Sequence, residues 1–540
     1  MQLQADGIQI PLVEPSIIYA EAHGQLAKHL KISPSDIHDI HVERRALDAR
    51  NKPTYILAVR FTVADGLGLR LIKQGLAKAC AIPLPPTLRI TQRPSGPPPV
   101  IVGAGPGGLM AALTLCEAGL APIVIERGQP VEIRARQVSR LYARGELDLE
   151  SNVCFGEGGA GTFSDGKLYT RIGDPRIDRV LAHLVDLGAP EDILVNARPH
   201  VGTDKLVKLL IKLRQRILNA GGQVMFGCRM ESVKQSFSHP IVRTNLGDID
   251  ASHVIVATGH SARGVWHQLE AAGAKLEARP FSVGFRIEHP QTMINAARYR
   301  KHADNPLLPA ADYRLAHNTA DGRGVYSFCM CPGGVVVTTP TEQGALCING
   351  MSYSNRSGRF ANSAMVVTVG PQDFGDALYG GVDFQERAER AAYELGGGAF
   401  TAPASYVDDF LEGRASQHMG DTSYRRGLTA APLHALYPEP VISALQEALR
   451  TFATRMPGFA SHEAKLIGVE TRTASPIRVL RNAQCEMEGL PGWYACGEGM
   501  GYGGGIVSAA VDGIRCAECI VQNITHDTIP APGLGSYAPQ

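Results

Sequence analysis

The pattern of apolar and polar positions divides the chain into segments of different kinds. The apolar run Thr54 to Val63 predicts a strand, and the segment Gly66 to Ala79 predicts a helix. The stretch Arg93 to Pro99 combines prolines with turn residues and is typical of an interdomain linker. The part of the chain before it is therefore interpreted as a small α+β module.

From Val100 onward the pattern is strand, glycine turn, the helix Leu109 to Ala118, and a second strand, Ala121 to Ile125. This order predicts a βαβ unit. The later runs Gly324 to Met330 and Gly334 to Thr339 are β-rich but interrupted, which indicates a separate mixed-sheet domain. The predicted divisions are an N-terminal module (1–93), a linker (94–99), a nucleotide-binding domain in two parts (100–275 and 471–525), a middle domain (276–470) and a tail (526–540). The predicted fold class is α/β, a Rossmann-type domain with an inserted mixed-sheet substrate domain and a small N-terminal α+β domain.

Composition narrows the classes of protein that this chain can be. A chain of 540 residues with 44% hydrophobic residues buries a sizeable core, which excludes overall disorder. The 53 Lys and Arg balance 52 Asp and Glu, so no global charge favours nucleic acid or an anionic membrane. No secretory signal or membrane-length apolar run is recognised, and the 11 cysteines lack disulfide-framework or zinc spacing. We therefore expect a cytoplasmic protein without a bound metal, and its oligomeric state stays open.

The strongest motif is the glycine turn that follows the strand at Val100. Gly103 permits the tight turn, Gly105 lets the backbone approach a pyrophosphate, and Gly108 allows helix and strand to pack closely. Glu126 ends the second strand, where a carboxylate accepts both hydroxyls of an adenosine ribose, which favours FAD or NAD over NADP. The predicted contacts of this turn with the dinucleotide are Gly103, Gly105, Gly107, Gly108, Glu126 and Arg127.

Three segments far downstream distinguish FAD from NAD, because flavin folds close their pocket with distant parts of the chain. The apolar strand at Val254 ends in a small turn, the strand at Trp493 ends in Gly-Glu, and three glycines then open a helix. The free amides of that helix start would face the flavin edge that gains negative charge on reduction. The predicted FAD contacts here are Ala257, Thr258, Gly259, Gly497, Glu498, Gly504, Gly505 and Ile506.

Glycines are also concentrated between Gly156 and Lys167, at a density that excludes a regular helix or strand. We interpret this segment as a loop that wraps the pyrophosphate and the flavin, and the alternative is a flexible surface loop. The predicted contacts are Gly158, Gly159, Gly161, Thr162, Ser164, Asp165, Gly166 and Lys167.

Four phrases of the sequence resemble a known family. They are Phe155 to Leu168, Phe328 to Gly334, Glu470 to Arg478 and Gly497 to Ile506. Together they resemble bacterial FAD-dependent dehydrogenases of undefined substrate, within the flavoproteins that have two dinucleotide-binding domains and the wider fumarate-reductase-like class. The resemblance implies FAD as cofactor and the glycine-rich loop as a flavin contact.

The candidates for a reactive group are Cys329, Cys331, Arg472, Lys167 and His200. Cys329 and Cys331 are two positions apart on a predicted strand and would share a face, for thiol redox chemistry or simply as small buried side chains. Arg472 is interpreted as an anion clamp or as part of an ion pair. His200 precedes a helix that Thr203 is predicted to cap, and a structural role competes with proton transfer there.

These features favour an FAD-dependent oxidoreductase that exchanges a hydride between flavin N5 and a small-molecule substrate held between the FAD and middle domains. No second glycine turn with an acidic partner is recognised, so NAD(P)H would visit only transiently. One alternative is a flavin-dependent RNA-modifying protein, because the segment His41 to Lys52 is basic, although no nucleic-acid partner is expected from the net charge. Another alternative is an electron carrier that docks a protein partner through the N-terminal module.

Overall fold

The computed structural model describes residues 1–80, 90, 96–236 and 239–525. The N-terminal module consists of β1 (Gln2–Pro11), α1 (Ile18–Leu30), β2 (His38–Asp48), β3 (Thr54–Thr62), α2 (Asp65–Lys73) and β4 (Lys78–Ala79). Its strands pair antiparallel in the order β2-β3-β1-β4, so the module is α+β, as the sequence predicts. The helix predicted over Gly66 to Ala79 is too long, because Gly75 has a φ of +69° just after α2 and Ala79 lies in β4. The predicted tail and residues 94 and 95 of the predicted linker lie outside the described residues.

The N-terminal module is attached to the next domain along the edge strand β2. The amide of Arg45 donates to Val195 O (2.6 Å), and Arg45 O accepts from the amide of Ala197 (2.9 Å). The Arg45 guanidinium donates to Asn196 Oδ1 (2.8 Å). One arginine of the basic segment is therefore used in a contact within the protein.

The first part of the nucleotide-binding domain follows residue 99. Its elements are β5 (Val100–Val102), α3 (Pro106–Glu117), β6 (Ile123–Glu126), α4 (Val131–Arg144), α5 (Arg176–Asp186), α6 (Thr203–Asn219), β7 (Gln223–Phe226), β8 (Met230–Gln235), β9 (Pro240–Thr244), β10 (Gly247–Asp250), β11 (Val254–Val256) and α7 (Gly264–Ala271). The predicted cap at Thr203 is wrong, because the N-cap of α6 is Gly202. The Thr203 hydroxyl instead donates to Thr162 O (2.7 Å) and ties α6 to the glycine-rich loop.

The middle domain is built on a mixed sheet. Its elements are β12 (Leu276–Ala278), β13 (Phe281–Pro290), α8 (Gln291–Tyr299), β14 (Ala316–Asn318), β15 (Gly324–Cys331), β16 (Val335–Thr338), β17 (Ile348–Met351), β18 (Phe360–Val369), α9 (Pro371–Phe374), α10 (Gly380–Leu395), β19 (Ala402–Tyr406), α11 (Val407–Leu411), β20 (Leu428–Ala430), α12 (Glu439–Arg455) and β21 (Lys465–Glu470). Seven strands pair in the order β14-β15-β18-β13-β21-β19-β20. Only β19 and β20 run parallel among these pairings, so the sheet is mixed.

The chain then returns to the nucleotide-binding domain with β22 (Ile477–Val479), β23 (Trp493–Ala495) and α13 (Ile506–Thr525). Five parallel strands form the central sheet in the order β23-β11-β5-β6-β7. Helix α13 packs against α3, and a Cβ at Gly513 would lie 2.0 Å from Gly107 O, so the two helices require a glycine there. This architecture confirms the predicted α/β fold class.

No helix within the described ranges has both the length and the apolar character needed to cross a membrane.

Candidate functional site

The carboxyl ends of four parallel strands meet at one cavity of about 490 Å³. In an open parallel sheet, ligands bind where such strand ends diverge. Gly103 follows β5, Glu126 ends β6, Thr258 follows β11 and Glu498 follows β23, and all four line this cavity. The structure therefore brings together the distant segments that the sequence assigns to one cofactor.

The first glycine turn has the close approaches that its glycines predict. The amide of Gly103 donates to Ile125 O (2.8 Å), and its φ of +106° favours glycine. A Cβ at Gly108 would lie 1.9 Å from Gly103 O, so only glycine allows α3 to pack this closely on β5. Gly103, Gly105 and Gly107 line the cavity, whereas Gly108 lies behind the turn and serves packing.

Glu126 is buried and orders the backbone around the cavity. One carboxylate oxygen accepts from the amides of Gly128 and Gly156 (both 2.9 Å), and the other accepts from Ala104 (2.8 Å). An ionised carboxylate has about four acceptor positions, so one is left for a ligand hydroxyl. Glu126 thus joins both glycine-rich segments and still lines the cavity.

The glycine-rich loop is ordered by a residue that the sequence analysis missed, Arg134 of α4. Its guanidinium is fully buried and donates to oxygens of the loop and of the segment just before it. The acceptors are Asn152 O, Val153 O, Gly156 O, Glu157 O, Gly159 O and Thr162 Oγ1. Burial lowers the pKa of Arg134 to about 10, so it remains charged near neutral pH. The loop is therefore packed inside the protein, which excludes the alternative of a flexible surface loop.

The loop also touches the other two glycine-rich parts of the site. The amide of Gly158 donates to Ala104 O (2.7 Å), and a Cβ at Gly159 would lie 3.3 Å from Gly105 Cα. On its other side, a Cβ at Gly161 would lie 2.9 Å from Ile506 Cγ1 at the start of α13. Of the predicted loop contacts, Gly158 and Thr162 do not line the cavity. The loop residues that line it are Gly159, Ala160, Gly161, Ser164, Asp165, Gly166 and Lys167.

Charged side chains converge at the end of the loop. Asp165 is buried, accepts from Lys167 Nζ (2.9 Å) and forms a second ion pair with Arg356. Burial alone would raise the pKa of Asp165, but Lys167 and Arg356 outweigh it and lower this pKa. Burial would lower the pKa of Lys167, but Cys331 and Cys329 in their thiolate forms and the Asp165 carboxylate raise it above its ordinary value. Lys167 therefore contributes a fixed positive charge to the cavity wall.

The predicted arrangement of Cys329 and Cys331 is wrong. Between Phe328 and Cys331 the pairing of β15 with β18 shifts register, and Cys329 has a φ of +48°. This irregularity breaks the alternation of the strand. Cys329 lines the cavity, whereas Cys331 lies fully buried behind it and not on its surface.

Arg286 of β13 fixes this irregular turn and is another residue that the sequence analysis missed. Its guanidinium is fully buried, donates to Cys329 O (2.7 Å) and lies 3.4 Å from Cys331 Sγ. It also pairs with Glu470 of β21 (2.7 Å). Burial raises the pKa of Glu470 to about 7 even beside this arginine. The positive charge of Arg286 therefore lies directly beside both cysteines.

Arg472 lines the cavity but is held in an ion pair rather than free to clamp an anion. Its Nε and Nη2 donate to the two carboxylate oxygens of Glu389 (2.9 and 2.7 Å), and Nη1 donates to Thr341 (2.8 Å). Glu389 also pairs with Arg263 (3.0 Å), so two arginines share one buried carboxylate. Of the two interpretations of Arg472, the structure supports the ion pair.

His200 does not line the cavity, and the catalytic role considered for it is not supported by its position. Its Nε2 lies 3.3 Å from Ser354 O, and burial, followed by the charge of Arg356, lowers its pKa. A neutral histidine at this junction has a structural role.

The C-terminal turn places Glu498 against the start of α13. Gly497, Glu498, Gly505 and Ile506 line the cavity, whereas Gly504 does not. The carboxyl of Glu498 accepts a hydrogen bond from the backbone of Gly505, and burial raises its pKa to about 7. Glu498 thus gains or loses a proton near neutral pH in the wall of the cavity.

We expect Glu498→Gln to change how stability depends on pH. Because folding raises the pKa of Glu498 from 4.5 to about 7, the folded protein binds this proton more tightly than the unfolded chain. Its contribution is therefore complete below about pH 4.5 and is lost as pH rises through about 7. Urea unfolding of both proteins from pH 4.5 to 8 measures this, and the wild type should lose stability relative to the variant as pH rises. A difference that stays constant with pH would contradict the assignment.

Among the residues that the structure describes, one group has the spacing of a metal site. The ligand atoms of Cys496, Asp512 and Cys516 all lie within 4.8 Å of one another. However, Arg481 pairs with Asp512 (2.7 Å) and its Nη1 lies 3.8 Å from Cys516 Sγ. A guanidinium in this position neutralises the carboxylate and repels a cation, so this group does not indicate a metal centre.

The donor set of the cavity fits FAD. Two polar atoms in its lining, Thr258 Oγ1 and Gln268 Oε1, are buried and have no hydrogen-bond partner among the described residues. Buried polar atoms of this kind require a partner, which a polar ligand supplies. A dinucleotide in this cavity would also meet glycine backbones at the strand ends, a free acceptor position on Glu126 and the helix start at Ile506.

Comparisons with known proteins agree with this geometry. Residues 98–138 match the family described as FAD binding domain, and residues 280–473 match the family described as FAD-dependent protein, C-terminal domain-like. The chain is therefore a flavoprotein with FAD as its cofactor and, in general terms, an FAD-dependent oxidoreductase.

An uncharacterized protein of Clostridium beijerinckii (strain ATCC 51743 / NCIMB 8052) is 42% identical over 509 residues, which cover 92% of this chain and 95% of the relative. This protein belongs to the same family as that clostridial relative.

Solved structures show only a distant likeness. Glycine oxidase from Geobacillus kaustophilus is 13% identical with a TM-score of 0.32, over 79% of this chain and 94% of that chain. Glycerol-3-phosphate dehydrogenase from Bacillus halodurans, complexed with FAD, is 9% identical with a TM-score of 0.35, over 81% of this chain and 66% of that chain. Structural similarity at this level does not assign the reaction or the substrate of these two enzymes to this chain.

Proposed function

We propose that the protein exchanges a hydride between N5 of FAD and a small-molecule substrate that binds on the middle-domain side of the cavity. One observation carries this proposal: a single cavity is lined by the glycine turns and also by residues of the middle-domain region. Phe328, Cys329 and Asn349 come from the middle domain, and Thr473 follows its last strand. A substrate bound there would lie between the two domains and next to the cofactor.

The chain's own residues would hold the cofactor along the strand ends. The turn from Gly103 to Gly107 would face the pyrophosphate at the start of α3, and Glu126 keeps an acceptor position that a ribose hydroxyl would use. The start of α13 at Gly505 and Ile506 would direct its free amides toward the flavin. The FAD supplies the two-electron chemistry at N5, and the protein supplies position and electrostatics. The proposal that the protein belongs to the flavoproteins with two dinucleotide-binding domains is supported by the resemblance of its sequence motifs.

Two charged groups of the chain would act on a substrate in this cavity. Lys167 keeps a positive charge that attracts electron density on a bound molecule, because Asp165 holds its ammonium in place. Glu498, with a pKa of about 7, takes up or releases a proton near neutral pH. The pair therefore provides a fixed charge and a proton-transfer group on one cavity wall.

The absorbance spectrum of the purified protein tests the cofactor and the electron donor together. We expect the visible bands of oxidised flavin, and we expect the cofactor released by denaturation to be FAD rather than FMN. NADH and NADPH are then added separately under anaerobic conditions. Rapid bleaching would assign nicotinamide as the electron donor, whereas a stable yellow colour favours another small-molecule donor. A colourless protein that takes up no added FAD would contradict the proposal.

A further inference from the structure

Two cysteines, Cys329 and Cys331, lie at the irregular turn of β15 beside the cavity. The Cys331 thiol donates to Cys329 O (3.3 Å), so it packs against the backbone of its neighbour. Cys329 lies on the cavity surface, and Cys331 lies directly behind it with no exposed surface. Two residues of a regular strand at this spacing are held apart by the extended backbone. The register shift and the positive φ of Cys329 remove that constraint here.

The groups around Cys329 favour its thiolate form. Its positive neighbours are Lys167 from the glycine-rich loop and Arg286 from β13, and its negative neighbours include Asp165, Glu470 and Glu498. The neighbouring Cys331 thiol, and then Lys167 and Arg286, lower the pKa of Cys329 to about 5, although burial opposes this. The Cys329 side chain and burial raise the pKa of Cys331. The pair therefore consists of one thiolate that faces the cavity and one protonated thiol behind it.

We propose that Cys329 and Cys331 form a redox-active dithiol that exchanges an electron pair with FAD, so that the physiological substrate is a thiol or a disulfide. This inference rests on the proposed function, because it requires FAD in the cavity. It names the class of substrate that the hydride-transfer proposal leaves open.

The chemistry balances within the protein and its cofactor. When the Cys329 thiolate and the Cys331 thiol form an S–S bond they lose two electrons and one proton, and bound FAD would take up that electron pair together with the proton. In the opposite direction, reduced FAD returns the electron pair and the disulfide opens. An external thiol or disulfide would then exchange with Cys329, which is the member of the pair that reaches the cavity.

The environment of the pair argues against an inert role and against a metal. Structural cysteines are buried among apolar side chains, whereas reactive ones lie in positive, partly exposed surroundings. Here a buried guanidinium lies 3.4 Å from Cys331 Sγ, and the Lys167 ammonium lies on the same wall. These cations stabilise a thiolate and disfavour a metal cation in the same place.

Anaerobic reductive titration of the FAD-loaded protein with dithionite tests the proposal by counting electrons. The oxidised wild type should accept about four electrons per FAD, two for the flavin and two for the disulfide. Cys329→Ser and Cys331→Ser should each reduce this to about two while still binding FAD. Cys80→Ser is the control, because Cys80 is a partly exposed cysteine after β4 of the N-terminal module and does not line the cavity, and it should keep the wild-type value.

Alkylation of the oxidised and the reduced protein in denaturant, which exposes the buried Cys331, followed by mass spectrometry, gives a second readout. Only the reduced wild type should carry the alkyl group on both Cys329 and Cys331. A wild type that binds FAD but accepts only about two electrons would overturn the dithiol and leave the proposed function standing. The dithiol would also be overturned if both variants still accepted about four electrons. A protein that binds no FAD would instead overturn the proposed function.

Discussion

Replacing Arg134 with methionine is expected to yield a protein that purifies without FAD and unfolds more easily. Arg134 is fully buried, and its guanidinium satisfies five carbonyl oxygens of residues 152–159 together with the Thr162 hydroxyl. Methionine keeps the apolar stem but removes this donor; Gly156 O and Glu157 O keep another donor, and each buried group left unsatisfied costs about 1–3 kcal/mol. Partial rearrangement of the loop limits the total loss to about 3–5 kcal/mol of unfolding free energy.

The loss of FAD follows from where this loop lies. Its glycines contact Gly105 at the start of α3 and Ile506 at the start of α13, so a displaced loop removes one wall of the cavity. We expect FAD affinity to fall at least about 100-fold, measured by fluorescence titration of the apoprotein. Arg136→Met is the matched control, since Arg136 lies on the same helix but is exposed. This variant should keep the FAD affinity and the unfolding free energy of the wild type. Normal FAD binding by Arg134→Met would show that the loop is held by other contacts.

The parts of the site that the sequence reveals are those in which a local motif follows a strand end. Gly103, Glu126, Thr258 and Glu498 come from four separate segments, yet each is marked by a short apolar run before a turn. Parallel strands bring their carboxyl ends to one edge, so the prediction needs no knowledge of distant packing. This is why the fold class and most of the cofactor contacts are apparent from the sequence.

The residues that hold these motifs in place are much harder to predict. Arg134 occupies an inward position of α4 between Val131 and Val138, both of which are buried. A charged residue at an apolar position of a helix indicates a buried charge with polar partners. The sequence does not show which carbonyl groups those partners are. The same is true of Arg286, within the buried strand β13. Their partners are distant in sequence, and only tertiary packing brings them together.

Cys329 and Arg472 show a second limit of sequence reasoning. Period-two alternation places Cys329 and Cys331 on one face, but an irregular turn held by Arg286 puts only Cys329 on the cavity surface. Arg472 has the chemistry of an anion clamp, but Glu389 of α10 occupies its donors. Both outcomes depend on strand register and on pairing across the middle domain, which hydrophobic patterns do not encode.

Substituting alanine for Gly108 is expected to have the second largest effect, and it tests the close packing of the first glycine turn. The new Cβ would lie 1.9 Å from Gly103 O and 3.2 Å from Ile101 Cγ2. Because a backbone oxygen cannot move aside as a flexible side chain does, α3 must shift away from β5. We expect a loss of about 3 kcal/mol in unfolding free energy, although alanine alone favours a helix by about 1 kcal/mol.

The shift should also weaken FAD binding, because Gly103 and Gly105 line the cavity next to this contact. A loss of about 100-fold in affinity is expected from isothermal titration of the apoprotein. Gly66→Ala separates this effect from helix propensity: Gly66 lies in helix α2, and a Cβ there would meet no atom within 4 Å. That control should be as stable as the wild type or more stable by up to about 1 kcal/mol, because only propensity changes. If Gly108→Ala behaved like this control, α3 would have to lie farther from β5 than the structure shows, and the pyrophosphate would need another anchor.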